Sequence, residues 1–234
     1  MFYDLTGRLA MKQMVLRFVP SERWFHNAVM FSFVFLLVTG MAMIFHNLLG
    51  LRNESRDFLS LSHKVMAVFF IVVPAMIFAL GNKKVWKENI ALATTWGRHD
   101  FDWLMKKPLT NIIKGVDLPP EDKFNPGQKV WMLLAFSGST LLAVSGIVIW
   151  LNDSAILFLF IHTTLTFIVG MALTGHIFMA LINRDTREGV GSIIDGEVDA
   201  DWAKHHHPLW MERMAKGRVM DKMAGKDAGK TGGG

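Results

Sequence analysis

The sequence predicts an all-α membrane protein, a bundle of four transmembrane helices with both termini on the cytoplasmic side. Three observations predict it. The 234 residues are 51% hydrophobic with a mean hydropathy of +0.30, and the apolar residues fall in four separate runs divided by polar segments. Of the 25 Lys and Arg residues, 22 lie before the first run, between the second and third, or after the fourth. That is the asymmetry the positive-inside rule gives to cytoplasmic segments. Finally, histidines sit inside or at the edges of the runs, where an imidazole is costly unless something satisfies it.

Residues 1–22 form a cytoplasmic N-terminal segment. Phe2, Leu5, Leu9, Met14 and Leu16 mix there with Arg8, Lys12 and Arg17, a basic amphipathic pattern suited to the inner membrane surface. The opening MFYDLTGRLAMKQMVLRF lacks the order of a cleaved signal peptide, so none is expected. Pro20-Ser21-Glu22 supplies a turn and a helix start. The first span covers about residues 24–48, with Trp24 as an interfacial residue, His26 near its start and His46 at its end. After a short polar loop the second covers about 61–80, with His63 in its first turn and Pro74 tolerated inside. The long polar loop 81–127 interleaves Trp86, Ile90, Trp96, Phe101, Trp103 and Leu104 with lysines, which predicts short interfacial helices or a docking surface for partner subunits.

The third span, about 128–150, has no histidine. Its Ser137-Gly138-Ser139 and Ser145-Gly146 clusters allow close helix approach. A tight turn at Asn152-Asp153-Ser154 leads to the fourth span, about 155–183, which completes a transmembrane domain over 23–183. The cytoplasmic tail 184–234 carries His205-His206-His207, expected to be docked or solvated rather than metal-binding, and ends in GKDAGKTGGG, expected to be disordered. His99 is expected at the surface, and no internal sequence repeat is visible.

The chain has no cysteine, which removes disulfides, thiolate metal sites, iron–sulfur ligation and covalent haem attachment. The basic pI near 9.5 follows from the topology and does not indicate a nucleic-acid partner. His162 and His176 lie fourteen residues apart in the fourth run. At about 100° and 1.5 Å per residue they leave one helix face roughly 21 Å apart, one toward each side of a ~30 Å hydrocarbon core. That spacing suggests two haems stacked across the membrane, non-covalent and therefore b-type. Topology assigns each histidine a depth. His26 and His176 share the inner level; His162 shares the outer level with His63 or, alternatively, His46. Facing helices of a bundle build cofactor sites in this way, and two axial imidazoles leave no open iron position, so the chemistry is electron transfer. Gly40, fourteen residues after His26, presents no side chain at the outer level. A haem-free proton-coupled membrane protein is the alternative of another class; the lack of Asp and Glu in the four spans argues against it.

These residues resemble the cytochrome b (gamma) subunit of membrane-bound respiratory formate dehydrogenases, within a wider group of diheme anchors that also serve hydrogenases and thiosulfate reductases. The resemblance covers roughly residues 20–213. It is carried by ERWFHN, the TG at Gly40, SHKV around His63, KFNPGQK at 123–129, GIVIW at 146–150, the His162/His176 pair and the tail IIDGEVDADWAKHHHPLWMER. It implies haem ligands His63 with His162 and His26 with His176, and a menaquinone or ubiquinone pocket at Asn125, Gly127 and His176. It also implies an iron–sulfur (beta) subunit and a molybdopterin or tungstopterin catalytic (alpha) subunit as partners in the bacterial inner membrane, in a complex that can assemble further. This chain would carry electrons inward to the quinone and would not itself act on formate. His46 and Pro126 depart from the family pattern.

Overall fold

In hydrocarbon a backbone must satisfy its own hydrogen bonds, and the four apolar runs do so as long helices. The computed structural model describes residues 12–152 and 154–217. Four helices are long and apolar enough to cross a membrane: α1 (Pro20–Ile44), α2 (Asn53–Leu80), α5 (Pro126–Leu151) and α6 (Ile156–Ile177), the last continuing as one π-helical turn over Phe178–Ile182. Between them lie α3 (Lys83–Thr94), α4 (Arg98–Lys106) and a 3₁₀ turn (Lys107–Asn111). The chain divides into two compact units. One joins Phe18–Ile90 to Trp131–Gly196; the other gathers Ala91–Val130 with the described residues up to Arg17 and from Glu197 onward.

In the first unit, polarity is inside out. Val38, Phe136, Phe160 and Met171 are exposed, while Ser32, Thr39 and Ser145 are buried. The buried hydroxyls satisfy themselves within their helices: Ser32 donates to the Ala28 carbonyl, Thr39 to Phe35 at 2.9 Å and Ser145 to Leu141 at 2.7 Å. α1 starts where the sequence places it, with Pro20 in its first turn and the Glu22 carboxylate accepting the Val19 N–H at 2.7 Å. The other Glu22 oxygen accepts from Asn89 of α3 at 2.6 Å, and Trp86 of α3 packs edge-on to Phe25, so the amphipathic α3 is anchored to the start of the first span. At the far end Gly50, with φ of +62°, takes the left-handed turn that leads into α2.

α2 begins at Asn53, two turns before the expected start near residue 61. Glu54, Arg56 and Asp57 end the apolar run without ending the helix, because Glu and Arg are good helix formers and all three remain exposed. α5 and α6 approach closely at Gly138, where an added Cβ would stand 2.6 Å from Val169 Cγ2, itself fully buried. After α6 come a 3₁₀ turn (Arg187–Val190) and α7 (Gly191–Ile194), with the Arg23 guanidinium donating to the Asp195 carbonyl.

The second unit is polar and built from distant parts of the chain. β1 (Met14–Leu16) pairs antiparallel with β2 (Glu197–Asp199), Val15 opposite Val198. The described part of the N-terminal segment thus contains a strand. α8 (Ala200–His206) is N-capped by Asp199, whose Oδ1 accepts from Asp201 and Trp202, and α9 spans 208–217. Val15, Val198, Ala200, Ala203 and Trp210 form a small buried core. The tail is docked: the His207 ring donates from Nδ1 to the Asp122 carbonyl at 2.7 Å, the Leu209 N–H donates to the Glu121 carbonyl and Arg213 pairs with Asp122 at 2.9 Å. Lys129 Nζ and Asp100 Oδ1 form a buried ion pair at 2.8 Å. Burial alone would raise the Asp100 carboxyl, but bonds from Lys129 and the Gly97 N–H outweigh it and hold the group below the usual carboxylate range. The expected features at residues 1–11, at Asp153 and in the final GKDAGKTGGG lie outside the described residues.

Two predictions follow from packing and charge. Gly138→Ala should destabilise the protein by about 1–3 kcal/mol, because Val169 has no flexible end to swing away; the melting temperature in detergent checks it. Burial, reinforced by the Arg17 charge and opposed by the Asp122 carbonyl, pushes His207 down to about 3. The unfolded chain protonates this histidine near its ordinary value of about 6.5, so it binds more protons than the folded state below that pH. Stability should therefore fall as pH drops from about 6.5 toward about 3. That slope should flatten in His207→Gln, which keeps a donor for Asp122; an unchanged pH–melting curve would count against the assignment.

Candidate redox site

The four histidines at issue project from α1, α2 and α6, and each is partly buried. His63 and His162 come together with ring centroids 6.4 Å apart and planes inclined at 70°. His46 does not join them. It sits in the turn after α1, its Nδ1 2.9 Å from the Met43 carbonyl. Of the two outer partners open to His162 from the sequence, the one whose ring meets it is His63.

Each ring of this pair leans on a hydroxyl from the neighbouring helix of its own hairpin. Thr39 Oγ1 on α1 is 2.8 Å from His63 Nδ1, and Ser145 Oγ on α5 is 3.0 Å from His162 Nδ1. The next residue is glycine in both cases. A Cβ on Gly40 would stand 3.4 Å from His63 Cε1, and one on Gly146 3.2 Å from His162 Cε1. Gly40 thus borders the His63 ring itself.

His26 and His176 have different surroundings. His26 Nδ1 lies 3.5 Å from the side-chain oxygen of its neighbour Asn27. His176 stacks on Trp131 of α5, with centroids 4.6 Å apart and planes within 11°. The π-helical turn begins two residues later, a distortion often found beside functional residues.

Asn125 and Gly127 belong to the polar unit, and Asn125 has a structural task there. Its Oδ1 accepts the Gln128 N–H at 2.8 Å while Gln128 Oε1 accepts the Asn125 N–H at 3.0 Å, a reciprocal capping box that starts α5. The Asn125 side chain also bonds Glu121, whose carboxylate accepts from Trp103 Nε1 at 2.8 Å; burial raises the Glu121 carboxyl. A Cβ on Gly127 would stand 3.3 Å from the Asn125 cap oxygen. Among the basic residues by the connection from α1 to α2, Arg52 pairs with Glu54, Arg56 lines an open cavity with Met43, Asn53, Asp57 and Ser60, and Lys64 lies over Trp150. His99 is exposed beside Asp100, and His206 stacks on Trp202.

The donor set suits an iron porphyrin. An imidazole nitrogen binds a metal at roughly 2.0–2.1 Å, so two rings on opposite sides of one iron have centroids a little over ~6 Å apart, and the His63–His162 spacing of 6.4 Å matches. Sequence reasoning missed Thr39, Ser145 and Trp131 as partners of these rings. The available signal was the hydroxyl–glycine dipeptide, Thr39-Gly40 and Ser145-Gly146, one on the first helix of each hairpin.

The chain is similar to known proteins over most of its length. Residues 17–196 match the family described as prokaryotic cytochrome b561. The cytochrome b556(fdo) subunit of formate dehydrogenase from Escherichia coli K12 is 26% identical, covering 86% of this chain and 94% of that protein. The nitrate-inducible formate dehydrogenase cytochrome b556(Fdn) subunit of the same organism is 24% identical over 89% of this chain and 95% of its own length. The formate dehydrogenase cytochrome b556 subunit of Haemophilus influenzae is also 24% identical, over 93% and 91%.

Proposed function

The chain belongs to the prokaryotic cytochrome b561 family, and we propose that it is the diheme membrane anchor of a formate dehydrogenase complex, passing electrons from a periplasmic iron–sulfur subunit to a quinone reduced near the cytoplasmic side. The His63–His162 ring pair at 6.4 Å carries this reading. In it, His63 and His162 would hold an outer haem b, and His26 and His176 an inner one. When bound, the two haems supply one-electron transfer across the membrane.

The protein contributes position and insulation. Exposed apolar residues such as Phe136, Phe160 and Met171 suit contact with lipid. The charge asymmetry supports termini in the cytoplasm, and that orientation sets the His26/His176 level on the inner side. Roughly 21 Å of α6 separates its two histidines, so two centres are needed to bridge the membrane. Asn125, Gly127 and His176 are assigned to the quinone by the resemblance. His176 can ligate through one ring nitrogen and donate from the other, and because capping uses only the oxygen and backbone N–H of Asn125, its side-chain amide has a hydrogen beyond the one turned to Glu121. The relatives at 24–26% identity are named as subunits of formate dehydrogenases, which supports iron–sulfur and molybdenum- or tungsten-pterin partners here. A cysteine-free chain cannot hold the clusters itself.

His176→Ala should reduce the haem content from two per chain to one and abolish quinol formation, while formate still reduces the remaining haem in the assembled complex. Pyridine haemochrome and reduced-minus-oxidised spectra measure this, and two haems with full quinone reductase activity would refute the assignment. Asn125→Ala should retain both haems, lose a cap worth about 0.5–2 kcal/mol and slow quinone turnover. Asn125→Ser, which keeps a capping oxygen, should slow turnover without the stability loss; turnover equal to wild type in both variants would remove Asn125 from the pocket.

A further inference from the structure

We propose that Thr39 and Ser145 are positioning residues that hold the His63 and His162 imidazoles with Nδ1 protonated and Nε2 free for iron, and that their hydrogen bonds lower the reduction potential of the outer haem relative to the inner one. This rests on the reading of His63 and His162 as haem ligands.

The proton inventory of the two hydroxyls carries the argument. A hydroxyl has one hydrogen to donate. Thr39 has the Phe35 carbonyl at 2.9 Å and the Leu36 carbonyl at 3.2 Å on its own helix; Ser145 has Leu141 at 2.7 Å and Leu142 at 3.1 Å. A buried helix hydroxyl ordinarily gives its proton to a carbonyl one turn back, and two such carbonyls stand in reach of each. With the proton there, each oxygen faces the ring with a lone pair, and the nitrogen at 2.8 or 3.0 Å is the donor. With hydrogen on Nδ1, the lone pair of a neutral imidazole is on Nε2.

The following glycine completes the seat. Gly40 and Gly146 leave room for Cε1, the ring carbon between the two nitrogens. The same device, a hydroxyl for Nδ1 and an absent Cβ for Cε1, occurs once in the α1–α2 hairpin and once in the α5–α6 hairpin. Among the described residues, the inner pair has another setting: an Asn27 oxygen at 3.5 Å beside His26 and a stacked Trp131 on His176.

An acceptor on the far nitrogen of a ligating histidine raises its basicity, and a more basic ligand favours the ferric state. Two such acceptors at one haem place it below the other, so electrons entering on the outer side run downhill to the inner.

The test uses the full-length chain with haem supplied, in Thr39→Val and Ser145→Ala with Thr39→Ser and Ser145→Thr as conservative counterparts. Haem per chain, a redox titration of the haem α-band and low-temperature EPR of the oxidised protein are read together. We expect two haems, an upward shift of the lower-potential component in each single variant, a larger shift in the double variant, an unmoved higher-potential component and return to wild type in the conservative variants. Loss of one haem in Thr39→Val that Thr39→Ser restores would also support the role. Unchanged potentials and EPR signals with two haems retained, or a loss not restored by the conservative variant, would overturn it. His162→Ala keeping two haems would instead sink the ligand assignment itself, which separates the two failures.

Discussion

The hydrogen bond that most organises the helical unit joins an imidazole to a hydroxyl on the adjacent helix. A polar ring at membrane depth needs a partner, and a partner on another helix fixes both the helix separation and the rotation of each helix about its axis. Thr39 with His63 and Ser145 with His162 set that geometry in the two hairpins. The small residues follow from it. Gly40 and Gly146 admit the rings, and Gly138 admits Val169. The buried interior is correspondingly rich in small polar groups and the outer surface in large apolar ones, the reverse of a water-soluble bundle.

The four spans were legible in the sequence because they depend on a quantity read along one helix, apolar length at about 1.5 Å of rise per residue. The existence of short helices in the loop after α2 was also legible, from its interleaved tryptophans and lysines. What escaped depends on relations across helices. The hydroxyl–glycine dipeptide marks Ser145 in the sequence, but which ring it bonds, that of His162 seventeen residues on, and the stacking of Trp131 on His176 emerge only when the helices pack. The early start of α2 escaped for another reason, since hydropathy reports where lipid-compatible residues begin and not where a helix begins. Depth alone kept His46 as an alternative to His63 at the outer level; the turn geometry, which directs His46 to the Met43 carbonyl, separates them.

Asn125 illustrates how one side chain can carry a structural and a functional reading together. Its oxygen and its backbone N–H complete a capping box with Gln128, and its side chain also engages Glu121. The sequence KFNPGQK therefore has a local explanation, with Asn before Pro at a helix start and Gln three residues later. A rigid helix start also fixes where any remaining amide hydrogen points.

The strand pair of the polar unit has a bearing on biogenesis. β1 at Met14–Leu16 meets β2 at Glu197–Asp199, and Arg17 donates to the Lys123 carbonyl. A chain emerging from the ribosome N-terminus first has made all four spans before the partner of its own first strand exists. The polar unit must therefore close last, over a loop of nearly the whole protein, and domains assembled from such distant segments are slow to form. Until that closure the N-terminal strand has an unpaired edge, and the helical hairpins have an interval in which to be threaded into the bilayer and loaded.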